Sequence, residues 1–235
     1  MVRLIFNKKS SKNNIFLCII KKTMKTEIEK ANISEVKSYL ALKDKDFAEF
    51  FKIAPEFNLR INSFSSVYQA LIESIIYQQL SGKAAYAIFR RLCSLFNNNS
   101  VRPLDIIRSE DDELRAIGIA RPKINSIRDL TEFETSGKLP NLKQLHKMDN
   151  DEIIDRLTKI KGIGQWTVEM LLIFRLGRID VISGKDLGLR KGFAILKRTY
   201  PNLPSPQMML EYAEKQWKPY RSIASWYLWR VCEGL

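Results

Sequence analysis

The sequence predicts an all-α protein whose helices form two lobes meeting at a cleft. Apolar residues recur at helical spacing almost everywhere after Met24, and alternating strand-like patterns are nearly absent. With 235 residues, 45% of them hydrophobic, the chain is long enough to bury one large core or two small ones. We expect lobe one to span about 64–179, and lobe two to combine 24–63 with 180–235.

Helices are expected in order along the chain from their apolar spacing. The stretch FSSVYQALIESIIYQQL (64–80) carries one apolar side, and a second helix follows a Ser-Gly break at 81–96. Pro122 suits the first turn of its helix, where its missing N–H costs nothing. Further helices are predicted at 111–117, 122–133, 149–159, 165–175, 187–198, 206–215 and 220–232.

The charge balance predicts a polyanionic partner. The chain holds 39 Lys+Arg against 26 Asp+Glu, a net charge of +13, which suits nucleic acid or an acidic membrane surface. Residues 1–23 contribute basic residues and no acid, and their apolar run IFLCII is too short to span a bilayer. We interpret 1–23 as a disordered basic extension or a product of start-codon choice, with a DNA-touching arm as the alternative.

Neither a metal nor another cofactor is expected. Cys18, Cys93 and Cys232 are scattered without paired spacing, and His146 lies in a polar stretch typical of a solvated surface. Export and membrane-spanning signals are not apparent, so the expected setting is a reducing one, the cytoplasm (nucleoid) or the nucleus.

One motif, KGIGQWTVEM at 161–170, joins two predicted helices by a very short link, which makes them antiparallel neighbours. Gly162 and Gly164 permit positive φ and let another backbone approach closely, while Ile163 is expected to plug into the hairpin core. Outward N–H groups at the following helix start form a natural phosphate nest. On this motif alone, an ordinary αα-hairpin with a glycine C-cap is the alternative.

Downstream, RIDVISGKDLGLRKG (178–192) places Asp186 at the expected start of a helix. Here the sequence resembles the helix-hairpin-helix (HhH-GPD) DNA glycosylase superfamily, and most closely its AlkA-type branch, the DNA-3-methyladenine glycosylases II. The loop departs from that family in lacking a proline before the aspartate. The stretches that carry the resemblance are IESIIYQQLSGKAA (72–85), GIARPKINSIRDL (118–130), IKGIGQWTVEMLLIF (160–174), DLGLRKGF (186–193) and WKPYRSIASWYLWR (217–230).

The resemblance implies a catalytic residue and a reaction type. Asp186 matches the family's catalytic aspartate, whose carboxylate stabilises an oxocarbenium-like sugar or orients the attacking water; a helix N-cap is its alternative role. Trp166 occupies the position where glycosylase/lyase members carry a Schiff-base lysine, which implies a monofunctional enzyme. The cysteine quartet that holds an iron–sulfur cluster in some relatives is missing.

The resemblance also implies residues that contact the base and the DNA. Cationic alkylated bases stack on aromatic faces, worth roughly 0.5–2 kcal/mol per contact, and a wedge fills the gap that a flipped base leaves. For Trp229, the alternative role is core packing. For Gln78 and Gln79, the alternative is that both simply end the preceding helix. The assigned residues are Trp166, Trp229, Tyr68 and Tyr77 for the base pocket, Gln79 with Gln78 and Leu80 for the wedge, and Lys161, Gly162, Ile163, Gly164, Lys185, Arg190 and Lys191 for the DNA backbone.

The leading hypothesis is therefore a monomeric, monofunctional DNA glycosylase that excises alkylated purines of the 3-methyladenine and 7-methylguanine type from duplex DNA, without a membrane partner. A non-catalytic helix-hairpin-helix DNA-binding protein is the main alternative, although pure binding needs neither Asp186 nor Trp166. Attachment to a membrane surface through 1–23 leaves the hairpin and the aspartate unexplained.

Overall fold

The structure is a computed structural model that describes residues 25–62, 64, 66–96 and 100–234. All regular secondary structure in these residues is helical, which confirms the predicted all-α class. The predicted basic extension at 1–23 lies outside them. Within the same ranges, none of the helices combines the length and the apolar character that a bilayer crossing requires.

Fourteen helices are present in the described residues. They are α1 (Glu27–Lys30), α2 (Ile33–Lys43), α3 (Lys45–Phe50), α4 (Val67–Tyr77), α5 (Gly82–Leu95), α6 (Pro103–Arg108), α7 (Asp111–Ala116), α8 (Arg121–Thr135), α9 (Leu142–Leu145), α10 (Asn150–Leu157), α11 (Gln165–Phe174), α12 (Leu187–Leu196), α13 (Pro206–Gln216) and α14 (Arg221–Glu233).

The described chain divides into two compact units. The first contains the described residues from 64 to 168, and the second combines 25–62 with 169–234. The division falls inside α11, earlier than the expected boundary near residue 179. The sequence around this boundary does not have the composition of a linker, because the boundary lies within the continuous helix α11.

The core of the first unit forms where α4 packs against α5 and α8. Leu71, Ile72 and Ile75 of α4 are fully buried, as are the apolar residues that recur every three positions along α8. These α8 residues are Ile124, Ile127 and Leu130. The apolar stripe of α8 thus faces the core, and its polar residues at the intervening positions are left for other contacts.

The second unit is built around the pairing of α12 with α14. A Cβ atom added to Gly192 would lie 2.0 Å from the carbonyl oxygen of Leu228, so only glycine permits this approach of the two backbones. Hydrophobic burial continues along α14, where Tyr227 and Leu228 are fully buried. The close pairing fixes the start of α12 against the side chains of α14.

A buried ion pair also stabilises the second unit. Asp44, the N-cap of α3, accepts hydrogen bonds from Lys197 Nζ at 2.6 Å, Tyr212 Oη at 3.0 Å and Trp217 Nε1 at 3.1 Å. Burial by itself would raise the pKa of this carboxyl. The hydrogen bond and positive charge of Lys197, together with the other two donors, outweigh burial, so the pKa of Asp44 is lowered.

Candidate active site

The predicted hairpin is present as α10 and α11, joined by residues 158–164. Ile163 is only 3% exposed, whereas Lys161, Gly162 and Gly164 on either side of it are exposed. Ile163 therefore anchors the turn in the core, as its position between two glycines predicted. The exposed backbone around it leads directly into the first turn of α11, where Gly164 O accepts from Thr167 N at 3.0 Å.

Positions 162 and 164 of the hairpin carry glycine for different structural reasons. Gly162 has φ +80°, and a Cβ atom there would lie 2.1 Å from Ser126 Oγ, so both its backbone conformation and its surroundings exclude a side chain. Gly164 does not have a positive φ, and a Cβ atom there would meet no atom within 4 Å. The positive φ that both glycines permit is therefore adopted by Gly162 alone of the two, and Gly164 instead leaves open space beside the helix start.

Helix α8 supports the hairpin turn from behind. Ser126 lies directly against Gly162, and Asp129 Oδ2 accepts a 2.7 Å hydrogen bond from the backbone N–H of Lys161. A hydrogen bond between a carboxylate and a backbone N–H is charge-assisted and stronger than a neutral one. The turn is thereby fixed while the Lys161 side chain stays exposed.

The predicted wedge turn follows α4, at residues 77–81. Gln79 is exposed and has φ +57°, a left-handed conformation that is rare for residues other than glycine. Leu80 beside it is half-buried, and its N–H lies 3.4 Å from Tyr77 O, which closes the turn. Gln79 is therefore the side chain that the turn presents to solvent.

Gln78 does not fit the wedge role predicted for it. Its side-chain Nε2 donates a 2.9 Å hydrogen bond to Gly162 O and lies 3.5 Å from Thr167 Oγ1, while the side chain itself is half-buried. The amide thus ties the wedge turn to the hairpin instead of protruding from the turn. Sequence reasoning missed this because neighbouring glutamines carry no sign of which one points inward.

Lys123 on α8 is a second residue that sequence reasoning missed. Its Nζ donates to Ile76 O and Gln78 O, both at 2.7 Å, which are carbonyls at the C-terminal end of α4. A cation there is favoured because the last carbonyls of a helix have no partner within the helix and carry partial negative charge. Burial lowers the pKa of this lysine. The stretch GIARPK contains this lysine and belongs to the family resemblance, but it does not indicate which groups the lysine contacts.

Of the predicted pocket aromatics in the first unit, one is excluded by its surroundings. Tyr68 is 2% exposed, its hydroxyl lies 2.7 Å from Thr131 Oγ1, and burial raises its pKa. It is a core residue and has no face available for stacking on a base. Tyr77 is half-buried and Trp166 is 38% exposed, so these two retain accessible surface.

Asp186, in the second unit, is the N-cap of α12. Its Oδ1 accepts from Leu189 N at 2.8 Å and from Trp229 Nε1 at 3.1 Å, and the residue is 8% exposed. The same carboxylate oxygen therefore caps α12 and is held in a defined orientation. Gly188 leaves room for this arrangement, since a Cβ atom there would lie 3.1 Å from both Asp186 Oδ1 and Trp229 Cδ1.

Trp229 is packed as well as hydrogen-bonded. Its ring stacks on Phe174, with centroids 5.4 Å apart and an interplanar angle of 28°, and it is 4% exposed. The alternative of core packing is therefore correct for most of its surface, and its indole N–H orients the aspartate. The predicted place of Trp229 in the base pocket stays a prediction, and its buried ring leaves little surface for stacking on a base.

The predicted backbone cations of the second unit differ in availability. Lys185 is exposed and Lys191 is half-buried, close in sequence to Asp186 on either side. Arg190 instead uses its Nε to donate a 2.8 Å hydrogen bond to Pro204 O. That contact fixes the loop before α13, which makes Arg190 a less accessible phosphate ligand than predicted. Among the described residues, no cluster of three or more His, Cys, Asp or Glu side chains suits a metal ion.

Residues 72–219 match the family described as HhH-GPD superfamily base excision DNA repair protein. The chain belongs to this superfamily. The match spans α4 to the loop before α14, and so includes the wedge turn, the hairpin and Asp186.

Several relatives of this HhH-GPD protein are named DNA-3-methyladenine glycosylases. DNA-3-methyladenine glycosylase 1 of Schizosaccharomyces pombe is 43% identical over 165 residues, 70% of this chain and 72% of the relative. The solved structure of the 3-methyladenine DNA glycosylase of the same yeast, in complex with abasic DNA, has a TM-score of 0.72 at 38% identity and covers 83% of this chain and 95% of that one. A DNA-3-methyladenine glycosidase from Bacillus halodurans has a TM-score of 0.76 at 33% identity and covers 89% and 93%.

These relationships confirm the predicted family and enzyme class. This HhH-GPD protein is a base-excision DNA glycosylase that binds DNA, and the alternative of a non-catalytic binding protein is not supported. The resemblance seen in five separate stretches of sequence was thus a correct guide to the family.

Proposed function

We propose that this HhH-GPD glycosylase is a monomeric, monofunctional enzyme that excises alkylated purines from duplex DNA, and that Asp186 is its catalytic residue. The observation that carries the proposal is the fixed carboxylate of Asp186, whose Oδ1 is held by Leu189 N and Trp229 Nε1. A carboxylate oriented in advance stabilises developing positive charge without reorganising during the reaction.

The proposed reaction is hydrolysis of the N-glycosidic bond. As that bond breaks, its electron pair leaves with the base and positive charge develops on the sugar, which the carboxylate of Asp186 stabilises. Water then bonds to C1′ and releases one proton to the carboxylate or to solvent. The products are a free base and a sugar that carries a hydroxyl group at an intact abasic site.

Alkylated purines are bases that a site with one carboxylate and a few aromatic side chains can excise. A purine alkylated at N3 or N7 carries a formal positive charge, so the departing base becomes neutral and needs little help from a general acid. Its charge also favours aromatic faces, and we assign Trp166 and Tyr77 as the stacking residues because both retain accessible surface.

Trp166 supports the monofunctional assignment. By family resemblance it occupies the position of the lysine that attacks the sugar in glycosylase/lyase members, and an indole has no amine with which to form a Schiff base. We therefore expect the DNA strand to stay uncut after the base is released.

For DNA binding, we assign Gln79 and Leu80 as the wedge, and Lys161, Lys185 and Lys191 as phosphate contacts. Gln79 is exposed at the tip of its turn, and the chain as a whole carries a net charge of +13. Phosphate contacts release counterions, so the affinity for duplex DNA is expected to fall steeply with salt concentration.

The test is to incubate the protein with methylated duplex DNA and to measure release of 3-methyladenine and 7-methylguanine by chromatography. The expected result is release of free base, strand breaks only after alkali, and no borohydride-trapped protein–DNA adduct. DNA binding without base release would contradict the alkylpurine assignment, and a trapped adduct would contradict the monofunctional one. Sedimentation of the protein with and without duplex tests the monomer.

A further inference from the structure

Three residues spaced three apart on α8 contact the two DNA-directed turns of the first unit. Lys123, Ser126 and Asp129 lie at positions i, i+3 and i+6, which share one side of a helix. Lys123 reaches the wedge turn, whereas Ser126 and Asp129 reach the hairpin turn. A single rigid element thereby contacts both turns.

The wedge end of this arrangement depends on Lys123. The last carbonyls of α4 lack partners within the helix. The ammonium group of Lys123 is a donor only, and it donates hydrogen bonds to two of these carbonyls, those of Ile76 and Gln78. The carbonyl of Gln78 comes directly before Gln79, whose φ of +57° is unfavourable for a side-chain-bearing residue. Lys123 therefore fixes the backbone from which the exposed Gln79 side chain projects.

The hairpin end depends on contacts to the backbone of the turn. Asp129 accepts from Lys161 N at 2.7 Å, and Ser126 lies so close to Gly162 that a Cβ atom there would be 2.1 Å from its hydroxyl oxygen. The hairpin turn is thus seated on α8 within two residues of the exposed Gly164.

Gln78 connects the two turns directly. Its backbone carbonyl accepts from Lys123, and its side-chain Nε2 donates to Gly162 O at 2.9 Å. The contacts close a ring that runs from α8 to the wedge turn, across to the hairpin turn and back to α8. Displacing the wedge relative to the hairpin requires breaking hydrogen bonds in this ring.

We propose that this ring sets the register between the wedge and the phosphates held by the hairpin, and that Lys123 and Gln78 are positioning residues for base flipping. The inference rests on the proposed function. The wedge must enter the duplex at a fixed distance from the backbone phosphates that the hairpin grips. Because Lys123 and Gln78 hold the backbone of the two turns, we expect them to affect extrusion of the base and to leave bond cleavage unaffected.

The experiment compares two duplexes that differ only in how tightly the target base is held. Each contains one 7-methylguanine, placed opposite cytosine in the first duplex and opposite a stable abasic-site analogue in the second, where less unpairing is needed. Single-turnover rates of base release are measured for the parent, for Lys123→Met and for Gln78→Leu. Lys138→Met and Gln69→Leu are the matched controls.

On the paired duplex, both variants are expected to release base about tenfold more slowly than the parent, since small displacements of positioning groups have effects of this size or larger. On the unpaired duplex, their rates return to within about threefold of the parent, because extrusion is no longer limiting. The controls match the parent on both duplexes.

An equal loss of rate on the two duplexes would overturn the inference, as would unchanged rates on both, and thermal unfolding curves accompany each variant. If Lys123→Met does not fold, Gln78→Leu decides the outcome by the same comparison. A parent protein that releases no base from either duplex would instead count against the proposed function, so the two failures are distinguishable.

Discussion

Trp229 Nε1 donates a 3.1 Å hydrogen bond to Asp186 Oδ1, the same oxygen that caps α12 through Leu189 N. Stacking of the Trp229 ring on Phe174 holds the indole in place. The carboxylate of Asp186 is thereby oriented from α14 by one side chain and from α12 by the backbone. In the proposed reaction, this geometry means that the acceptor does not need to reorganise as charge develops on the sugar.

Trp229→Phe keeps an aromatic ring for the stack on Phe174 and removes the indole N–H together with the volume of one fused ring, a volume loss that the control variant shares. We expect the single-turnover rate of base release to fall on the order of tenfold, because the carboxylate loses a donor that orients it. Duplex binding should be unchanged within about twofold. Trp226→Phe is the control, since it makes the same change on the same helix, at a ring that packs on Phe57 and Tyr227. Equal rates for Trp229→Phe and the parent would show that the hydrogen bond has no catalytic effect.

Gly162→Ala and Gly164→Ala separate the two reasons for glycine in the hairpin. Alanine at 162 meets a positive φ and the hydroxyl of Ser126, so we expect a loss of about 1–3 kcal/mol in the free energy of unfolding. Alanine at 164 meets no protein atom, so the stability is retained while the added methyl group weakens binding of duplex DNA. Chemical denaturation and fluorescence anisotropy measure the two quantities. Weaker stability for Gly164→Ala than for Gly162→Ala would contradict the described geometry.

Gly188→Ala and Gly192→Ala test the seating of α12. At position 192 the new Cβ atom would lie 2.0 Å from Leu228 O, a backbone atom, so α12 and α14 must move apart and the free energy of unfolding falls by about 1–3 kcal/mol. At position 188 it would press on Asp186 and Trp229 from 3.1 Å. We expect Gly188→Ala to slow base release with little change in melting temperature. Ile195→Ala, at an exposed position of the same helix, is the control.

The Asp44–Lys197 pair predicts how stability depends on pH. The folded-state pKa of Asp44 is lowered, so its contribution is present above the unfolded pKa of about 3.9 and is lost as the pH falls through the folded value. Burial by itself lowers the pKa of Lys197, but hydrogen bonds with Asp44, Asp46 and Tyr212 raise it overall. Its contribution is therefore present below about pH 10.4 and is lost as the pH rises through the folded value.

We accordingly expect Asp44→Asn to lower the free energy of unfolding at neutral pH by on the order of 3 kcal/mol, since Lys197 loses a buried partner. The difference from the parent should shrink as the pH falls below about 4. Urea denaturation at several pH values measures it. Glu49→Gln breaks only an exposed pair with Lys52 and should have little effect. If the difference in free energy of unfolding between Asp44→Asn and the parent does not change with pH, Asp44 is not charged in the folded protein as described.

Helices were predictable where the apolar period had room to repeat. The 15-residue α8 and the 13-residue α14 begin and end within two residues of the predicted bounds. Helices α6 and α9, with 6 and 4 residues, were missed because so short a segment does not complete a recognisable period. The lobe boundary was displaced because α11 continues across it.

Site residues were predictable where local chemistry decides the conformation. An aspartate before LGLRKG is a natural N-cap, and an isoleucine between two glycines of a hairpin is a natural anchor, so the positions of Asp186 at the start of α12 and of Ile163 in the core could be predicted. The roles of Tyr68, Gln78 and Lys123 depend on which group faces them from a helix distant in sequence. No spacing rule within one segment contains that information.

In the proposed reaction, the carboxylate of Asp186 stabilises the sugar as the base leaves. Asn is as good an N-cap as Asp, so Asp186→Asn preserves the start of α12 and removes the negative charge. The decisive measurement is the single-turnover rate of base release from methylated duplex DNA at saturating protein. We predict a fall of at least about 100-fold with duplex binding retained; release at the parent rate with equal binding would contradict the claim.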